Sequence, residues 1–340
     1  MSPTRNQASA EARSGWSVSA LGLICIGVLA LTFIWHISVG AKEIAFSTVT
    51  DALFAYDEEI FDHVVVNEIR LPRAIMAVFV GAGLAVAGAL MQGVTRNPLA
   101  DPGLLGLMAG ATFAVVVASL LGVPDPSLIP LFAAAGALIA AVLVWLTASA
   151  VRGGATPMSM VLAGAALTAF IGALTTALLL IDQQSFEELR VWMTGTLTAR
   201  PTGLAYWSYG WLSAGLLVAL ALSRQVTALA MGEAAATGLG VNTSRLRIGV
   251  LSSVVVLTAA SVSLVGPMGF VGLVTPHFVR PVVGFDYRRV IPGSALAGAL
   301  FLLLADIVAR TVLAPVEVST GLVTAFIGAP VLIWLVKTKL

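Results

Sequence analysis

The sequence predicts an all-α integral membrane protein of ten transmembrane helices with both termini cytoplasmic. Three observations carry that reading. Of the 340 residues, 59% are hydrophobic and only 10% are charged, at a mean hydropathy of +0.99; a water-facing domain usually carries about 25% charged residues. Uncharged stretches long enough to cross a hydrocarbon core recur along the whole chain. The charges between them segregate by side.

A core of about 30 Å takes roughly 20 apolar residues per helix. Uncharged runs cover 14–41, 74–95, 102–124, 126–151, 153–181, 201–223, 248–279, 290–305 and 318–336. The first follows a polar leader carrying Arg5, Glu11 and Arg13. It outlasts a signal-peptide core of about 7–15 residues, so it reads as a retained span behind a cytoplasmic tail, residues 1–15. The run 248–279 would overshoot the bilayer as one straight helix, and Gly266, Pro267, Gly269, Gly272 and Pro276 interrupt it. A helix to about 265 and a shorter one from about 268 fit better. Arg5 and Arg13 at one terminus and Lys337 and Lys339 at the other place both tails inside, by the excess of Lys and Arg on cytoplasmic loops. Equal sidedness requires an even number of spans, hence ten.

With ten spans, inside segments hold 12 cationic and 4 acidic residues, and outside segments hold 6 and 13. The two tails alone set the sidedness, so this bias across the middle loops supports the topology. Three stretches lie outside the spans. Residues 42–69 are outside and amphipathic, with Thr48 and Asp51 spaced as in a capping box. Residues 182–200 are outside, with Trp192 near the interface. Residues 224–247 form the longest inside loop. Gly106-x-x-x-Gly110 permits close helix approach. No internal repeat separates parts of the chain, so residues 1–340 read as one membrane domain, with the ten helices over 16–338.

Several chemistries are missing. No Gly-rich turn leads to a lysine that could reach nucleotide phosphates; the lysines are Lys42, Lys337 and Lys339. This chain therefore does not hydrolyse ATP on its own. His36, His63 and His277 have no metal-ligand spacing, Cys25 is the single cysteine, and no catalytic set or metal site is expected. A net charge of +1 gives no reason to expect nucleic acid. Ion-coupled carriers keep ionisable groups in mid-membrane as relays. Here only Asp306 and Glu317 come near, both toward the outer ends of their spans.

The remaining motifs are specific. Arg70-Leu71-Pro72-Arg73 opens the second span, and Arg96-Asn97-Pro98-Leu99-Ala100-Asp101-Pro102-Gly103-Leu104-Leu105-Gly106 follows it. Further on come Gly266-Pro267-Met268-Gly269-Phe270-Val271-Gly272-Leu273, then Ala305-Asp306-Ile307-Val308-Ala309-Arg310, and finally Ala325-Phe326-Ile327-Gly328-Ala329-Pro330. Over roughly residues 65–338 this resembles the permease family of ABC importers for ferric siderophores, haem and vitamin B12. The resemblance implies a type II importer permease fold in a bacterial cytoplasmic (inner) membrane. It implies two permeases per transporter, two cytoplasmic ATP-binding subunits that carry ATP and Mg, and an extracytoplasmic substrate-binding protein. This chain itself would bind no cofactor. Leu189-Arg190-x-Trp192-x-x-Gly195 and the Val318–Ile333 segment are similar to the ferric enterobactin type, which favours a catecholate ferric siderophore and a heterodimer of homologous permeases over a homodimer. Where the vitamin B12 type has Glu-Leu-Pro, this chain has Glu317-Val318-Ser319. Haem or B12 import is the alternative, and an ion-coupled carrier the more distant one.

The resemblance also implies roles. Arg70, Arg73 and Arg310 would receive acidic residues of the binding protein; the competing reading is local pairing, since Asp306 stands four residues before Arg310 and Glu68 lies near Arg70. Gly232, Glu233, Ala234, Ala235, Gly238, Leu239 and Gly240 resemble the segment that couples to the ATPase. Arg96, Asn97, Pro98, Asp101 and Pro102 form an inner turn read as structural, because proline stops helices and Asn bonds freed backbone groups. His277 is expected to pack or to bond backbone rather than to gate. The pore would run between two permeases along spans 5 and 10, about 157–181 and 318–336.

Overall fold

The computed structural model describes residues 18–40, 42–123, 125–151, 154, 156–181, 183–197 and 205–339. The expected tail 1–15 lies outside them. Among the described residues every regular element is helical. In chain order these are α1 (Val18–Ser38), α2 (Phe46–Phe54), α3 (Phe61–Val64), α4 (Leu71–Thr95), α5 (Leu107–Leu120), α6 (Ile129–Ser149), α7 (Pro157–Ile181), α8 (Gln183–Met193), α9 (Ala205–Ala230), α10 (Glu233–Gly238), α11 (Thr243–Val265), α12 (Val271–Val283), α13 (Tyr287–Thr311) and α14 (Thr320–Lys339). A π-helical stretch, Val65–Arg70, joins α3 to α4 without a break.

Seven described helices are long and apolar enough to cross a membrane: Phe61–Thr95, Ile129–Ser149, Met158–Ile181, Tyr206–Ala230, Thr243–Val265, Tyr287–Thr311 and Thr320–Lys337. Three shorter apolar helices stand beside them, Gly22–Ser38, Leu107–Leu120 and Val271–Val283. The run 248–279 is divided as its glycines suggest. Gly266 ends α11 at φ 75°, and Phe270 opens α12 in the left-handed region at φ 69°.

Two expectations are corrected. Thr48 is not a helix cap: α2 starts at Phe46 behind Ala45, which offers no side-chain cap, so Thr48 lies inside the helix. Several helices also outrun their uncharged stretches. α9 continues through Arg224, α11 takes in Arg245 and Arg247, and α13 contains Arg288, Arg289, Asp306 and Arg310. Arginine is a good helix former whose charged head can reach past its own stem. A charge therefore ends a hydropathy run without ending the helix, and the expected 224–247 loop contracts to α10 and its flanks.

α4 is the axis of the fold. α13, α11, α12 and α9 pack around it, α1 lies on α13, and α5, α6 and α7 form a second group joined through α11. α4 can be central because small residues let backbones touch. A Cβ at Gly81 would stand 2.3 Å from the Gly298 carbonyl oxygen, and one at Gly88 only 1.9 Å from that of Gly272. Gln92, one turn beyond Gly88, donates from Nε2 to the Leu273 carbonyl at 3.3 Å.

Candidate functional site

Polar side chains gather at the two opposite ends of this bundle. At one end the last turn of α1, the start of α4 and the end of α13 converge on Asp306, which is fully buried. Its carboxylate accepts Arg73 Nε at 2.8 Å and Arg73 Nη2 at 2.9 Å, a two-pronged fork. His36 Nε2 donates to Oδ2 at 2.8 Å and Thr320 Oγ1 to Oδ1 at 2.7 Å. A carboxylate offers about four acceptor sites, and these four donors fill them. That accounts for the position of Arg310 Nε. It stands 3.2 Å from Oδ2 yet completes no aligned hydrogen bond among the described residues.

Arg310 and Arg70 act on α1 instead. Arg310 Nη2 donates to the His36 carbonyl at 2.9 Å, and Arg70 Nη1 to those of Ile37 and Ser38 at 2.8 and 2.6 Å. Arg70 Nη2 reaches the Lys42 carbonyl as well. The last carbonyls of a helix have no partner within it and carry its negative end. Two guanidinium groups cap them here. Gly40 makes room, since a Cβ there would sit 2.9 Å from Arg70 Nη2.

The three arginines are thus brought together, and all three are buried. Local pairing describes Arg310 with Asp306; Arg70 takes carbonyls rather than Glu68. One acid of the cluster faces outward. Glu317 accepts Arg73 Nη1 at 2.8 Å while its side chain stays 34% exposed. Sequence reasoning named the arginines but missed Asp306 as their hub, together with His36, Glu317 and Thr320. The available signal was a histidine and an acid inside otherwise uncharged spans.

At the opposite end α9 and α11 are joined by the single-turn helix α10. Gly232 at φ 128° and Gly240 at φ 78° turn the chain into and out of it. Ala236 is buried, while Ala234, Ala235, Gly238 and Leu239 face outward. Glu233 ties α10 to α11, accepting Arg247 Nη2 at 2.9 Å and Thr243 Oγ1 at 3.3 Å. The result is a small-residue knob with an exposed Met231 and Leu239 on its flanks.

Beside it lies the turn after α4. Arg96 adopts the left-handed conformation that ends α4, at φ 51°. Asn97 Oδ1 accepts Leu99 N at 2.9 Å, and Asp101 Oδ1 accepts Gly103 N at 2.8 Å, capping a 3-10 turn from Pro102 to Leu105. His277 Nε2 donates to the Pro98 carbonyl at 2.9 Å and so fastens the turn to α12. Arg96 and Pro98 also border a cleft of about 530 Å³, with Met231, Arg280 and Tyr287 on its other walls. Asp286 at its edge begins α13 and accepts Arg288 and Thr227 Oγ1. The Arg288 hydrogen bond holds its carboxyl below the usual carboxylate range.

Comparison with known proteins agrees with this architecture. The model of the FecCD transport family matches residues 28–338. The ferric enterobactin transport system permease protein of Escherichia coli (strain K12) is 39% identical over 325 residues, 95% of this chain and 96% of the relative. The Fe(3+)-citrate import system permease protein of Bacillus subtilis (strain 168) is 40% identical over 303 residues, 89% and 90% of the two chains. A solved inward-facing structure of a metal-chelate type ABC transporter superposes with a TM-score of 0.81 at 26% identity, covering 95% of this chain and all of that one. This chain belongs to the FecCD transport family, as a membrane permease subunit of a metal-chelate type ABC importer.

Proposed function

We propose that this chain forms one half of the pathway by which a ferric siderophore of the catecholate class enters the cytoplasm across the bacterial inner membrane. Ten helices cross the bilayer, the seven long ones and the three shorter apolar ones, with both termini and α10 on the cytoplasmic side and Asp306 toward the outside. The observation that carries the coupling role is α10 itself. It is a compact protruding turn of small residues, pinned to α11 by Glu233 and Arg247, of a size to enter a cleft on an ATP-binding subunit. Nucleotide-driven movement of two such subunits would then rock the paired permeases between outward- and inward-facing states. α7 and α14 are among the least buried long helices, which supports placing the second permease, a homologous chain, against them.

The outer arginines take a particular form in this reading. Arg73 is the member whose partner, Glu317, reaches solvent. A carboxylate on one lobe of the binding protein would compete with Glu317 for Arg73 Nη1 and would draw on the bidentate geometry that guanidinium offers. Arg70 and Arg310 would hold the end of α1 in place behind it. The enterobactin relative and the resemblance around Leu189–Gly195 favour a catecholate cargo; the citrate relative is the reason to test others beside it.

The test is uptake of radiolabelled ferric enterobactin into proteoliposomes holding this chain, its ATP-binding subunit, the sister permease and the binding protein. Uptake that needs ATP and every component is expected. Transport of ferric citrate or haem in vesicles that leave enterobactin outside would overturn the catecholate assignment, and uptake on an ion gradient alone would overturn the importer mechanism.

A further inference from the structure

An apolar trough runs between α1, α12 and α13, on the side of the bundle where α1 lies against α13. It encloses about 420 Å³ and is walled by residues such as Val28, Val282, Leu296 and Leu300. Gly22 and Ala297 leave it open where larger side chains would fill it. Its only cationic wall residues among those described are Arg288 and Arg289, side by side at the start of α13.

We propose that this trough is a binding site for one anionic phospholipid of the leaflet that borders Arg288 and Arg289, which is the cytoplasmic leaflet in the orientation proposed above. An acyl chain lies along α13, and the headgroup phosphate sits between the two guanidinium groups. Length supports this occupant. From Arg288 to Leu300 is about 18 Å at about 1.5 Å per helical residue, and one leaflet contributes about half of a 30 Å hydrocarbon core. Charge supports it as well. The trough is apolar along its depth and cationic at one end, the asymmetry of an anionic lipid and not that of a neutral transmembrane helix. Arg289 is exposed, and its guanidinium makes no hydrogen bond or ion pair with any described residue. Arg288 is partly engaged by Asp286 at 3.0 Å and remains 63% exposed. An unpaired guanidinium at the membrane surface is suited to two-pronged phosphate contact, and basic pockets between spans on the cytoplasmic side select anionic headgroups.

The assembled permease is purified, exchanged into mixed phosphatidylglycerol and phosphatidylcholine, and its retained lipid is counted by native mass spectrometry. Wild type is expected to keep one phosphatidylglycerol through mild delipidation. Arg289→Gln should lower its retention several-fold, and Ala297→Trp, which fills the trough without touching either arginine, should do the same. Cys25, the single cysteine, lines the trough and reports the location. Its alkylation by a neutral maleimide in nanodiscs should be slower with phosphatidylglycerol than with phosphatidylcholine alone, and that difference should vanish in Arg289→Gln. Equal lipid retention in all three proteins would overturn the site. So would protection of Cys25 that ignores lipid and follows assembly with the sister permease, since the trough would then be a protein contact. Orientation is read separately, by labelling Leu239→Cys in a Cys25→Ser background in sealed spheroplasts. An externally reactive residue 239 would overturn the topology, and with it the leaflet, while leaving the lipid count to judge the site.

Discussion

Arg73 and Asp306, 233 residues apart in sequence, meet as a buried fork with nitrogen–oxygen distances of 2.8 and 2.9 Å. The pair joins the start of α4 to the end of α13, and through His36 and Thr320 it also holds α1 and α14. Breaking a buried ion pair from one side strands the other charge and costs about 3–5 kcal/mol. Asp306→Asn should cost about that much, because the amide brings donors to a place where Arg73, His36 and Thr320 already donate. The measurement is the melting temperature of the purified permease in detergent. An unchanged midpoint in Asp306→Asn would mean that the fork does not hold the four helices together.

The helix crossings at α4 give a steric prediction. The Gly88 Cβ position lies 1.9 Å from a backbone oxygen, and no flexible side chain there can move aside. Gly88→Ala must separate α4 from α12, and overpacking of this kind costs about 1–3 kcal/mol or more. Gly172→Ala on α7 meets nothing within 4 Å and should fold as wild type. The two variants compared by yield of monodisperse protein and by melting separate a crossing glycine from one that is merely present in a span.

The Glu233–Arg247 pair predicts a functional loss with little loss of stability. Both side chains are partly exposed, at 49% and 26%, and pairs of that kind contribute about 0–1 kcal/mol. Arg247→Glu should therefore barely move the melting temperature while it frees α10 and lowers ATP-driven uptake. The exchange Glu233→Arg with Arg247→Glu should restore part of it. Leu239→Asp, on the exposed flank of α10, should weaken copurification of the ATP-binding subunit. Full uptake in Arg247→Glu would remove the pair from the coupling role.

How far the sequence carried these features depended on the kind of interaction. The break between α11 and α12 was legible because Gly266 and its neighbours mark a local backbone event. So was the turn after α4, where prolines and short polar side chains govern their own neighbours. Helix ends were less legible, since Arg224 and Arg288 interrupt a hydropathy run but not a helix. The partners of Arg73 were not legible. Hydropathy reports what each residue prefers as solvent, and says nothing of a carboxylate 233 positions away. The hints that such a cluster existed were local ones: His36, Asp306 and Glu317 as ionisable groups in or beside apolar spans, and the four-residue spacing of Asp306 and Arg310.

Asp286 supplies the pH prediction. It begins α13, its carboxylate accepts Arg288 N at 3.0 Å, and the Arg288 side chain and Thr227 add to the set. These bonds, the Arg288 hydrogen bond foremost, favour the ionised form and lower its pKa from the ordinary 3.8. A depressed folded-state pKa contributes stability that is fully present above the unfolded value and is lost as pH falls through the folded one. The start of α13 should therefore be insensitive to pH above about 5 and should loosen below about 3.8 as Asp286 takes up a proton. Asp286→Asn keeps a good helix cap but carries no titrating charge, so this contribution should disappear from its melting curve between pH 5 and pH 3. Asp286→Ala removes the cap as well and should cost about 1 kcal/mol at neutral pH. If wild type and Asp286→Asn lose stability in parallel over that range, the acid sensitivity of the protein arises at other carboxylates, and the Asp286–Arg288 bond contributes only geometry.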